Sequence, residues 1–77
     1  MVATHKIENI RFESNKMLLN IDGVNISVPL EKVSERLKNA SEIERMMYKV
    51  SPSGYGIHWP LIDEDLSIEK LIKEFGN

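Results

Sequence analysis

His58 lies upstream of Asp63 and Asp65 in one short stretch of the chain. An imidazole and two carboxylates are residue types that ligate a divalent metal or relay a proton. What accompanies them limits that chemistry. A mononuclear site usually wants a second His or a Cys; the chain has no Cys, and its only other histidine, His5, falls in an N-terminal run expected to fray. No Gly-rich loop opens a helix to cradle phosphate, and no Ser stands in a strand-to-helix elbow. His58 is therefore read as a hydrogen-bonded residue that locks a hairpin to its surroundings. No catalytic residue, metal or cofactor is expected, and a small metal-dependent enzyme is the remote alternative.

The same stretch concentrates the chain's specificity. Gly54 to Leu66 holds the only Trp, two of the four Gly and the densest acidic cluster. Trp59 has two uses, as the largest packing element of a small core or as the anchor of an interface, since Trp concentrates binding energy when a partner covers it. Asp63-Glu64-Asp65 has two as well. Carboxylates are favoured ahead of a helix by its positive end, and some pair with Arg45 or Arg36; the run can instead offer an acidic patch to a basic partner. The candidate partner-binding set is Trp59, His58, Asp63, Glu64, Asp65 and Arg45. Replacing Asp63 and Glu64 by Lys is expected to slow association.

Positioning these residues requires the rest of the chain. Ile7 to Glu13, Lys16 to Ile21 and Val24 to Val28 read as three strands, the last two joined by Asp22-Gly23, a favoured two-residue turn because both positions tolerate positive φ. That turn sets Ile21 against Val24, Leu19 against Ile26 and Met17 against Val28 on one apolar face. A turn at Ser14-Asn15 adds Phe12 opposite Met17 and Ile10 opposite Leu19; Ile7 then falls out of step, which predicts a bulge near Glu8-Asn9. Pro29 suits a first helical position, and Leu30, Val33 and Leu37 continue at helical spacing to Asn39. Ser41-Glu42-Ile43-Glu44 is a capping box opening a second short helix, whose Ile43, Met46 and Met47 are expected to complete the cover of the sheet.

Tyr48 to Ser51 and Tyr55 to Trp59 read as a second hairpin around Pro52-Ser53-Gly54, with Tyr55, Ile57 and Trp59 on one face. Pro60 stops the strand. A last helix starts at Asp65 or Ser67, buries Ile68, Leu71, Ile72 and Phe75, and ends at Gly76-Asn77. The fold class is α+β: a three-stranded antiparallel meander, two short helices, a second β-hairpin and a C-terminal helix, in one domain over residues 1–77. Whether the hairpins form one sheet or two stays open. A homodimer covering a bare strand edge is a further expectation.

With 77 residues, such a domain buries only about 60% of the surface its unfolded chain exposes, so the core is shallow. Net charge is −2, with residues 1–60 slightly positive and 61–77 acidic. No Lys/Arg stripe is present for releasing counterions from phosphate, so direct nucleic-acid binding is not expected. No apolar run spans a bilayer and Met1 to Lys6 lacks a signal-peptide core, so the expected location is cytoplasmic.

Leu37, Ala40-Ser41, Glu44-Arg45, and then Gly54-x-Gly56-Ile57-His58-Trp59-Pro60-x-x-Asp63-Glu64-Asp65-Leu66-Ser67-Ile68 resemble the signature of the bacterial family catalogued as Domain of Unknown Function 2442 (DUF2442). The resemblance runs over nearly the whole chain and includes the Asp-Gly meander and the Pro-led helix. It implies a small prokaryotic α+β domain without enzymatic activity. Such domains stand alone or form the N-terminal part of helix-turn-helix regulators; with the chain ending at Asn77, the stand-alone form is expected. Stand-alone members are proposed as the antitoxin half of a toxin–antitoxin pair. The expected function is a non-enzymatic interaction module, binding and masking a small, basic protein partner in the manner of an antitoxin. The alternative is a domain acting with a DNA-binding transcription regulator.

Overall fold

The computed structural model describes residues 4–76. Met1, Val2, Ala3 and Asn77 lie outside it, and with them half of the run Met1 to Lys6 and the last residue of the C-terminal stop. Strands β1 (Ile7–Glu13), β2 (Lys16–Ile21) and β3 (Val24–Pro29) form one antiparallel sheet in that order. Asp22 and Gly23 both take positive φ, 53 and 88°, as a tight hairpin turn matched to strand twist requires. The register follows from it: Ile21 opposes Val24, Leu19 opposes Ile26, Met17 opposes Val28, and Phe12 opposes Met17. Between Glu8 and Arg11 the register shifts, and Asn9 there has φ 56°, so the expected bulge is present. Met17, Leu19, Ile21, Ile26 and Val28 are buried, while Val24 at the rim is exposed.

The helical segment after β3 is two single turns rather than one helix. α1 (Leu30–Val33) and α2 (Glu35–Lys38) meet at Ser34, whose backbone is extended at φ −161° and ψ 109°. The serine breaks the helix because its hydroxyl does better as a cap, accepting the Leu37 N–H at 3.0 Å and donating to Glu64 Oε2 at 2.6 Å. Pro29 ends β3 and caps α1 instead of entering it. α3 (Glu42–Met46) begins with the expected capping box between Ser41 and Glu44.

β4 (Lys49–Val50), β5 (Gly56–Trp59) and β6 (Glu64–Ser67) form a second antiparallel sheet, so the hairpins belong to separate sheets. β6 was not expected. The sequence places these residues at or just ahead of the start of a helix, at Asp65 or Ser67; acidic residues have low strand propensity, but pairing overrides it, with His58 opposite Asp65 and Trp59 opposite Glu64. Tyr55 precedes β5 and is exposed instead of sharing the buried face with Ile57 and Trp59. α4 (Ile68–Phe75) starts at Ser67, whose hydroxyl accepts the Lys70 N–H. It buries Ile68 and Leu71, with Ile72 and Phe75 partly buried. Packed against β3, β5 and β6, α4 joins the two sheets around one core. No helix among the described residues is long and apolar enough to cross a membrane.

Candidate functional site

Trp59 is completely buried and its indole N–H donates to the Arg45 carbonyl at 2.9 Å. Of its two expected uses, core packing is the one the geometry satisfies; the folded chain presents none of this side chain to a partner. Arg45 is an internal staple as well. Its guanidinium donates to the carbonyls of Leu37, Ser14 and Lys38 at 3.0, 3.0 and 2.9 Å and lies 5.6 Å from the centre of the Phe12 ring. A planar fork of five donors suits three carbonyls held at fixed angles. The expected pairing of Arg45 or Arg36 with the acidic run is not made: among the described residues Arg45 pairs with no carboxylate, and Arg36 donates to the backbone carbonyl of Asp63.

The acidic run is divided by the strand it belongs to. Successive strand residues point to opposite faces, so Glu64 turns toward Ser34 and the Asp65 N–H, whereas Asp65 turns to His58, Nδ1 to Oδ1 2.8 Å. Asp63 ends the preceding turn with φ 50°. Glu64 and Asp65 therefore face opposite sides of β6, and none of the three carboxylates caps α4. Substituting Glu64 perturbs the Ser34 junction, which makes it unsuitable for testing electrostatic steering.

His58 sits on β5 between Lys49 of β4 and Asp65 of β6. Its Nδ1 donates to the carboxylate, since an ionised carboxylate only accepts, and Nε2 has no partner among the described residues. The pair borders a cleft of about 930 Å³ that also includes Lys32, Lys49 and Lys70. Among the described residues no group of three or more His, Asp or Glu side chains is arranged to hold a metal.

The other histidine corrects the expectation of a frayed start. His5 Nδ1 meets Asp22 Oδ2 at 2.7 Å and Nε2 meets Glu69 Oε1 at 3.2 Å. Its backbone N–H donates to the Ser53 carbonyl, and the Lys6 backbone N–H donates to Asp22 Oδ1 at 2.8 Å. The hydrogen bonds to Asp22 first and Glu69 second raise the imidazole pKa above its ordinary value, and the bond from His5 lowers that of Asp22. Both ring nitrogens face carboxylates on opposite sides, so the cluster is a charged clasp and not a metal site. No sequence spacing announces it, because its members lie on the N-terminal run, the first sheet and α4.

A further group emerges only in three dimensions. α3 has no buried residue, and Ile43, Met46 and Met47 are 72, 53 and 53% exposed. They were expected to cover the sheet. The bonds of Arg45 and its carbonyl turn that side of α3 inward, which leaves the apolar residues outside.

Over residues 7–77 the chain matches the family model described as "Protein of unknown function (DUF2442)". The protein belongs to that family. No curated protein and no solved structure matches it.

Proposed function

We propose that this DUF2442 protein is a non-enzymatic protein–protein interaction module that masks a small protein partner in the manner of an antitoxin, with the outer face of α3 as its contact. One observation carries the contact: three apolar side chains, Ile43 and Met46 on α3 and Met47 at its C-cap, are exposed on a helix that is nevertheless held in place. Arg45 ties that helix to three carbonyls, and Trp59 ties it to the core. An ordered segment that shows its apolar residues to solvent suits burial by a partner, and methionine adapts to the surface it meets. Exposed Glu42 on the same helix supplies a carboxylate for a basic partner. The antitoxin form of the proposal rests on the family resemblance.

The test uses a doubly charged face. Ile43→Glu with Met47→Glu leaves the core intact, so melting and circular dichroism stay as in the parent. Tagged parent protein drawn from its native cells should bring down one small protein in stoichiometric amount, and the double variant should lose it, with affinity at least about tenfold lower. Retention of the partner by the folded double variant rejects α3 as the contact. Recovery of the parent protein alone rejects the interaction module.

A further inference from the structure

The cleft beside His58 is distinct from the α3 face, and its chemistry is the opposite of the whole chain's. The chain carries a net −2, yet Lys32 of α1, Lys49 of β4 and Lys70 of α4 all line this one depression. None of the three forms an ion pair among the described residues. The three arginines are already engaged: Arg45 and Arg36 donate to backbone carbonyls, and Arg11 pairs with Glu13. Two carboxylates share the lining, Asp65 and Glu74, and Asp65 is held by His58. Positive charge is therefore in surplus where the chain as a whole is negative.

Aliphatic side chains lie between the lysines. Val33, Val50, Ile57, Leu66 and Leu71 line the same cleft, so a ligand that only neutralised charge would leave apolar surface uncovered. A nucleic acid would want several aromatic platforms for its bases, and the lining offers one Phe, Tyr or Trp ring, Tyr55, beside a His58 imidazole already bonded to Asp65. Small-molecule sites bury most of their ligand's surface, whereas this depression of about 930 Å³ is open to solvent. An open groove with an aliphatic floor and cations contributed by three elements complements a helix with an apolar stripe flanked by carboxylates.

We propose that this cleft docks an acidic amphipathic helix of a partner protein, its apolar residues on Val33, Val50 and Leu66 and its carboxylates beside Lys32, Lys49 and Lys70. The site is separate from α3, and its occupancy does not depend on that face.

A fluorescently labelled synthetic peptide of about three helical turns, with leucines at i, i+3, i+4 and i+7 and glutamates between them, is the probe. Fluorescence anisotropy should show it binding the full-length protein, more weakly as salt rises. A companion peptide with lysine in place of each glutamate should not bind. The Lys32→Glu, Lys49→Glu, Lys70→Glu triple variant should bind the acidic peptide roughly tenfold or more weakly, while Lys16→Glu with Lys73→Glu, at exposed positions outside the cleft, should bind as the parent does. If the triple variant does not fold, the three Lys→Gln changes provide the comparison, with a smaller loss in the same direction. Amide shifts caused by the peptide should cluster on Val50, Leu66 and Ser67.

No binding at millimolar peptide overturns the proposal, as does equal binding of the two peptides. Occupation of the cleft by dodecanoate or a single-stranded oligonucleotide but not by the acidic peptide overturns it in favour of that ligand. Self-association lost in the triple variant, without peptide binding, assigns the cleft to a second copy. The Ile43→Glu, Met47→Glu protein should keep the peptide, so failure here and failure of the α3 contact are read separately.

Discussion

The first sheet is closed by turns of two residues, Ser14-Asn15 and Asp22-Gly23, with Ser14, Asp22 and Gly23 at positive φ. The second sheet has a β4 of only two paired residues, a β6 whose Glu64 is bonded to Ser34 far back in the chain, and a β4–β5 turn pressed against the N-terminal run. Strand order in the first sheet is set by neighbours in sequence. The second keeps sequential order too, but it is held by groups that arrive from elsewhere, namely Ser34, Arg45, His5 and α4. Local turn chemistry survives small perturbations nearby, whereas a sheet assembled from distant contacts loses several at once when a junction fails.

Two glycines offer the sharpest way to break this contrast. A Cβ on Gly54, at φ +70°, would collide with the backbone carbonyl of His5, whereas a Cβ on Gly23, at φ +88°, meets nothing within 4 Å. Gly54→Ala therefore adds overpacking against backbone to an unfavourable φ and should lower stability by about 3 kcal/mol. Gly23→Ala carries the φ penalty alone, about 1 kcal/mol. Urea unfolding of the two proteins measures the difference. Equal losses would show that the β4–β5 turn does not depend on the N-terminal run.

Arg45 tests the same dependence from the other side. Arg45→Met keeps an aliphatic stem over Phe12 but removes the donors to three carbonyls, with an expected loss of about 2 kcal/mol. Lysine cannot rescue it, because a single ammonium does not span carbonyls on Ser14, Leu37 and Lys38. Hydrogen exchange should then speed up through α3 before it does so in β2. Uniform acceleration of both would remove the distinction between the sheets.

The division also explains what the sequence made legible. Asp22-Gly23, the alternation of Met17, Leu19 and Ile21, and the Ser41–Glu44 capping box each act within a few residues, so reading them required no knowledge of the fold. β6 was hidden because Glu64 and Asp65 have poor strand propensity and become a strand only by pairing with β5. Ser34 is also an N-cap residue type, but the helical spacing of Leu30, Val33 and Leu37 masked the break. In the candidate site, the burial of Trp59 was one of two readings open to the sequence. The reach of Arg45 to carbonyls, the division of Asp63, Glu64 and Asp65, and the His5 clasp depend on long-range geometry that spacing does not encode.

The His5 clasp gives the first sheet's far turn a connection to α4 and a dependence on pH. Because the His5 pKa is raised in the fold, its contribution is fully present below the ordinary imidazole value and declines as pH rises through the raised one. Asp22, whose pKa is lowered, contributes above the ordinary carboxylate range and loses that contribution as pH falls through its lowered value. The clasp is strongest between those limits. Thermal melts should show the parent losing stability relative to His5→Gln as pH rises above about 6.5, the unperturbed histidine pKa. Parallel curves for the two proteins across that window would mean that the imidazole charge contributes nothing to the junction.

His58 should give the smallest effect. Both histidines have a carboxylate within hydrogen-bond distance, but the His5 side chain is 11% exposed, against 42% for His58. His5 also bridges two elements distant in sequence, while His58 and Asp65 face each other across strands already paired through their backbones. Solvent screens the exposed pair and the ladder persists without it, so His58→Gln should change stability by no more than about 0.5 kcal/mol. Paired melts of His58→Gln and His5→Gln near pH 6 measure the contrast directly. A loss at His58 equal to that at His5 would make the cross-strand pair a clasp of the second sheet in its own right, and that sheet would then hold itself together much as the first does.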